Sequence, residues 1–286
     1  MPSKSCVITS CALLFFVSGL AIVPALRAKD EKLKPEQLIA KHLESIGSAA
    51  KLKEIKTRIT GGLSHVEVRV GGQANVNGQG EIVSDGSSVR GVFTFPALDY
   101  RGEQFAFDGE KAAVGQISPG VRSFLGRFIY ENDVLLKEGL LFGSLSTSWA
   151  LLNTAVKQPK MDVNGPKKVG GRNLYELKYE AKKGKGNVQA WLYFDPETFR
   201  HVRSQYKVEI APSQIERIGD SAELDRYLLI EEFDQFQEVD GITLPHAYKL
   251  DFTVDSTRGG FLGAWTYTVK QVAHNQAIDR QAFSVK

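Results

Sequence analysis

The sequence predicts a mainly β fold of the α+β class: one extended, strongly curved antiparallel sheet with helices at one end or face. Three observations carry that expectation. Several runs alternate apolar and polar residues with a period of two. Turn pairs punctuate them at Asp85-Gly86, Asp108-Gly109, Asp195-Pro196 and Asp240-Gly241. Strand patterns also fail to alternate with helical ones. Strands joined directly by tight turns must run antiparallel, because parallel neighbours need a crossover.

The first element is a leader. Lys4 supplies a short basic start, "CALLFFVSGLAIVPA" (Cys11 to Ala25) an apolar run, and Ala25 or Ala28 a small residue before a cut. That is the pattern of a secretory signal peptide. The run is short for a spanning helix, which needs about 20 residues. Ile8-Thr9-Ser10-Cys11 looks like a lipobox, but its cysteine precedes the apolar run instead of following it. Residues 1–28 are therefore expected to be removed, leaving 29–286 as one exported domain. Both cysteines, Cys6 and Cys11, lie in the leader, so the mature chain is expected to lack disulfides and thiolate metal sites. It must hold itself by a core, which roughly 260 residues can bury. Losing Lys4 and Arg27 takes 36 basic residues to 34, against 33 acidic, a net charge of +1. Near-neutrality argues against nucleic acid or another polyanion as the main partner. The "KKGKG" cluster at Lys182 to Gly186 reads as a solvated hairpin tip.

A strong helix follows in "KPEQLIAKHLESIG". Pro35 suits the first turn and Glu36 the positive end of the dipole. Leu38, Ile39, His42, Leu43 and Ile46 form one stripe, and Gly47 offers a stop. A short helical turn through "AAKLKEI" comes next. The period then switches to two, with about ten candidate strands. Val66, Val68 and Val70 share a face, as do Val202, Tyr206 and Val208. Trp265, Tyr267 and Val269 share another, and so do Tyr248, Leu250, Phe252 and Val254. "GGQANVNGQG" reads as a flexible hairpin loop, and "KQPKMDVNGPKKVGG" (Lys157 to Gly171) as a loop. Pro245 would suit an edge strand.

One stretch breaks the β pattern, Ile117 to Asn153. Val121, Phe124, Leu125, Phe128 and Ile129 fall at helical spacing, with Ser118 as a possible cap and Pro119 as a helix-opening residue. A second apolar group runs from Leu135 through Trp149 to Leu152. Burying each such side chain is worth about 1.5–3 kcal/mol, so the segment is expected to lie against the open side of the curved sheet.

Catalytic and metal chemistry find little support. The five histidines, His42, His65, His201, His246 and His274, form no i, i+3 or i+4 pair. His42 reads as a packed, hydrogen-bonded residue on its helix stripe. Glu231 and Glu232 are strand neighbours that face opposite sides and cannot share a proton. No G-x-S-x-G elbow or phosphate-binding G-x-x-x-x-G-K-[ST] occurs. The chain is expected not to be an enzyme, with no cofactor and no metal.

Four segments carry a family resemblance. "GRNLYELKYEAKKGKGNVQAWLYFDPETFRHVRSQY" (Gly171 to Tyr206) resembles the central hairpin of the LolA-like periplasmic lipoprotein carriers and outer-membrane lipoprotein-sorting proteins. "FAFDGEKA", "FDQFQEVDGITLPHAYKL" and "VAHNQAIDRQAFSV" resemble that group's other turn and closing segments, in the same order. The resemblance implies an unclosed β-barrel whose concave, apolar face is covered by helices and carries acyl chains in the periplasm. The ligand would be a lipid or an acylated lipoprotein, with envelope membrane proteins as donor and acceptor. It assigns Val121, Phe124, Leu125, Phe128, Ile129, Trp149 and Leu152 to the cover, and Tyr248, Leu250 and Phe252 to the concave face. This chain is longer than the simplest carriers, through the Lys157 region and Ala211 to Leu224. The alternative is a non-catalytic envelope interaction protein with a filled core, since small barrels are commonly packed solid.

Overall fold

The computed structural model describes residues 33–182, 186–210, 225–256 and 259–285. The expected signal peptide, the centre of the "KKGKG" tip and the Ala211–Leu224 segment lie outside them. Helix α1 (Pro35–Ile46) opens the described chain, with Pro35 in its first turn and the Gln37 side chain accepting from the Lys34 N–H at 2.9 Å. It buries Leu38, Ile39, His42 and Ile46 of the stripe expected from spacing, and Leu43 is half-buried. Helix α2 (Ala49–Glu54) follows, capped by Ser48.

Twelve strands then form one sheet: β1 (Thr57–Val70), β2 (Ala74–Asp85), β3 (Ser88–Thr94), β4 (Gly102–Phe107), β5 (Ala112–Val114), β6 (Lys160–Val169), β7 (Arg172–Glu180), β8 (Gln189–Phe194), β9 (His201–Ile210), β10 (Asp225–Val239), β11 (Ile242–Asp255) and β12 (Phe261–His274). Every pairing is antiparallel, and the order is β5-β4-β3-β2-β1-β12-β11-β10-β9-β8-β7-β6. The sheet does not close, leaving β5 and β6 as opposite edges. It curls strongly. Strands β3 and β11 stand four positions apart, about 19 Å in a flat sheet, yet the rings of Phe93 and Tyr248 on them are 6.5 Å apart.

This order explains the apolar insertion. The chain must pass from edge β5 to edge β6, and the connection crosses the inside of the curl. It contains α3 (Phe124–Glu131), α4 (Val134–Lys137), two 3-10 turns at Gly143–Leu145 and Ala150–Asn153, and α5 (Thr154–Lys157). The turn pairs behave as expected. Asp240 and Gly241 both take positive φ, 53° and 80°, the geometry of a two-residue hairpin turn. At Asp195, Oδ1 accepts from the Glu197 and Thr198 N–H groups.

Four expectations need correction. The Lys157–Gly171 stretch contains strand β6, whose edge position leaves seven of its ten residues exposed and only Val163 fully buried, which blurs the alternation that marks a strand. "GGQANVNGQG" is largely β2. Its glycines are there for close approach, since a Cβ at Gly78 would sit 2.0 Å from the Thr94 carbonyl oxygen and one at Gly80 2.6 Å from the Tyr267 ring. Val202 does not share a face with Tyr206 and Val208. A bulge opposite Tyr193/Phe194 turns it to the outer face, where it packs with Leu174 and Tyr193. Pro245 lies on β11, an interior strand. Pairing of β11 with β12 begins only at Ala247, so the missing N–H of Pro245 falls on a stretch that only β10 flanks.

Candidate functional site

The inner wall of β11 projects Tyr248, Leu250, Phe252 and Val254 toward the connection, and all four are buried. Above them lies the cover, residues 124–152. Phe128 meets Phe252 at 5.0 Å between ring centroids and Tyr227 at 6.1 Å. Phe142 meets Tyr248 at 6.0 Å, and its ring occupies the space left by the missing side chain of Gly91, where a Cβ would lie 2.2 Å from its tip. Trp149 stacks on His201 at 4.7 Å and donates its Nε1–H to His42 Nε2 at 3.1 Å. His42 in turn contacts the Phe199 carbonyl through Nδ1 at 3.1 Å.

Helix α3 starts at Phe124, three residues later than the spacing suggests. Ser118 forms a short bridge with Val121 around Gly120, which has a φ of 78°, and Ser123 is the cap that accepts from the Gly126 N–H. Val121 therefore precedes the helix and is half exposed, as is Phe124, which stacks on Phe261 at 4.9 Å. Leu125, Phe128, Ile129 and Trp149 point inward with Tyr248, Leu250 and Phe252, and none of the seven is more than 3% exposed. Leu152 stands apart from them, half-buried beside α2. The side chains of the seven therefore contact protein atoms almost exclusively. The cover thus fills the space that the resemblance assigns to acyl chains, and the interior is shut.

Polar ties hold the cover down. Glu231, on β10, is fully buried and accepts from the Phe142 N–H at 2.7 Å, the Tyr248 hydroxyl at 2.8 Å and the Tyr206 hydroxyl at 2.8 Å. Phe142 itself takes a left-handed φ of 69°, a conformation costly for a residue with a side chain. Burial pushes the Glu231 carboxyl up to about 7 against the pull of those three donors. Burial together with the Glu231 charge drives both tyrosines well above their usual value. Glu103, on β4, accepts from the Tyr100 hydroxyl at 2.7 Å, and burial raises it to about 7, opposed by Ser123 and Tyr100. Arg58, on β1, donates to the Ser144 carbonyl, and the Thr147 N–H donates to Ser84 Oγ on β2 at 2.9 Å.

Neither Glu231 nor Glu103 was singled out by sequence as a buried group. For Glu231 a signal existed, because it falls in phase with Leu229 and Phe233 on β10. Ser204 Oγ lies 3.0 Å from His201 Nε2. Both are sealed from solvent. Burial lowers His42 to about 4, and burial with His42 nearby lowers His201 well below its usual value. Among the described residues no cluster of His, Cys, Asp and Glu is placed to hold a metal ion, and no helix is long and apolar enough to cross a membrane.

The chain is similar to several solved structures. A LolA superfamily protein from Nitrosomonas europaea shares 9% identity over 88% of this chain and 97% of that chain, with a TM-score of 0.45. An outer membrane lipoprotein-sorting protein domain from Vibrio parahaemolyticus shares 11% over 86% and 97%, with a TM-score of 0.43. The Pseudomonas aeruginosa MucA/MucB complex gives 11% over 84% and 99%, with a TM-score of 0.22. No family model and no curated protein matches the chain. At these TM-scores the likenesses add no weight of their own, and the strand order carries the fold.

Proposed function

We propose that the chain is an exported, non-catalytic binding protein that shelters a lipid or the acyl chains of a lipoprotein between its curved sheet and a cover that lifts, and that the structure is its closed, unloaded state. The observation that carries this reading is the nature of the cover. One continuous segment, residues 124–152, coats the apolar inner wall while belonging to no strand, and its helices are at most eight residues long. Short helices have little stability apart from what they pack against, so such a segment can leave its wall while the sheet's ladders stay intact. An acyl chain taking its place gains about 0.8 kcal/mol per methylene removed from water. That replaces the apolar contacts the cover gives up.

The full burial of Ile129, Trp149 and Phe252 favours a second reading, an envelope interaction protein whose core is permanently filled. A reversible staple separates the two. The Thr147 N–H donates to Ser84 Oγ at 2.9 Å, so the two residues are neighbours across the cover–sheet contact, and disulfide formation between cysteines placed there is verified by mass before loading. The chain from Lys29 onward, made in bacteria, is expected to carry lipid visible by native mass spectrometry. The oxidised Ser84→Cys/Thr147→Cys variant should carry less lipid per chain than the unstapled protein and should regain the difference after reduction. Lipid absent from the unstapled protein, with Trp149 emission unmoved by added fatty acid, would support the filled core.

A further inference from the structure

A second site lies outside the sealed interior. Where α1 and α2 meet the β2–β3 turn and the end of the cover, a cleft of about 410 Å³ opens to solvent. One wall is apolar, built by Leu43, Leu52, Ile55 and Leu152. The other presents Lys53, Lys56 and Arg58, against a single carboxylate, Asp85.

Arg58 is the unusual member. It is 4% exposed, and a buried guanidinium is normally neutralised by a carboxylate beside it. Here Nη1 donates to the Ser144 carbonyl and Nε to His274 Nε2 at 3.1 Å. The nearest acid on that path is Asp240, one imidazole further on, 2.8 Å from His274 Nδ1. Among the described residues no carboxylate forms an ion pair with Arg58. Thr147 lines the same cleft, and its hydroxyl is buried without a hydrogen-bond partner. An apolar wall, two exposed lysines, an arginine lacking an adjacent anion and an unused hydroxyl thus converge in one cleft of ligand size.

We propose that this cleft binds a single-chain anionic amphiphile, its carboxylate or phosphate head toward Arg58, Lys53 and Lys56 and its chain along Leu43, Leu52, Ile55 and Leu152. The site needs no lifting of the cover, so it is independent of the reading of the interior. Neutral lipids and bare anions each satisfy only half of it.

Calorimetric titration of the chain from Lys29 onward with laurate, dodecanol and inorganic phosphate tests the proposal. Charge-assisted contacts should make laurate at least about tenfold tighter than dodecanol, with phosphate weaker than laurate. Lys53→Glu/Lys56→Glu, at exposed positions, should weaken laurate by about tenfold and leave dodecanol unchanged. Equal affinities for laurate and dodecanol, phosphate as tight as laurate, or no effect of the double variant would overturn it. A photoreactive laurate locates the chain. Adducts on Leu52 or Ile55 uphold the cleft. Adducts confined to Phe128 or Phe252 overturn it while supporting the interior carrier, and no adducts at either place count against both.

Discussion

At the scale of single residues, the consequential group is the Glu231 carboxyl, because it ties a strained loop to the sheet from a fully buried site. Its folded value of about 7 lies above the unfolded 4.5, so between those pH values the folded protein holds a proton that the unfolded chain has released. The stability this contributes is fully present below pH 4.5 and is lost as pH rises through 7. The span corresponds to about 3 kcal/mol. Glu103 acts in the same direction. His42 and His201 act in the opposite one, since their lowered values make the fold resist protonation below pH 6.5. Glu231→Gln removes only its own contribution. Urea unfolding at pH 4.5 and pH 8 should show the variant losing less stability than the wild type over that rise, by up to about 3 kcal/mol. An identical pH dependence in both proteins would mean that folding does not shift the Glu231 pKa. Sequence shows this residue only in outline. Its phase on β10 puts it on the apolar face, but the Tyr206 and Tyr248 hydroxyls and the Phe142 N–H come from strands and a loop that only folding brings together.

At the scale of elements, the strands with one buried face were legible and those without one were not. Tyr248, Leu250, Phe252 and Val254 alternate because one side of β11 meets the core, whereas β6 meets almost nothing and β2 hides its pairing behind glycines. Those glycines are as specific as the apolar residues. The seat of the cover on β3 depends on Gly91, whose absent side chain houses the Phe142 ring. Gly91→Ala must push a fully buried ring out of place and is expected to cost about 1–3 kcal/mol as overpacking, read as a lower urea midpoint with an unchanged slope. Wild-type stability in that variant would show that the cover does not seat there. The start of α3 escaped the sequence pattern for a local reason. Ser118-Pro119 looks like a helix opening, but Gly120 breaks away and Ser123 supplies the working cap.

At the scale of the whole molecule, the decisive fact is topological. Five strands build outward from β1, the chain crosses the inside of the curl, and seven strands return to pair β12 with β1. Turn pairs announce the hairpins, but no local signal announces that β5 and β6 are opposite edges, so the reason for the apolar crossing emerges only from the assembled order. The crossing makes the cover a separate layer, joined to the sheet by side-chain packing and a few polar ties instead of a strand ladder. Such a layer is expected to open below the free energy of global unfolding. Hydrogen exchange of the amides of residues 124–152, with and without saturating laurate, measures this directly. The account predicts that these amides exchange faster than those of β1, β11 and β12 in the free protein, and that within them residues 124–142, which do not line the α1–α2 cleft, shift markedly when laurate is added while β11 and β12 do not. Cover amides that exchange only with the sheet, at one common rate that laurate does not alter, would contradict it.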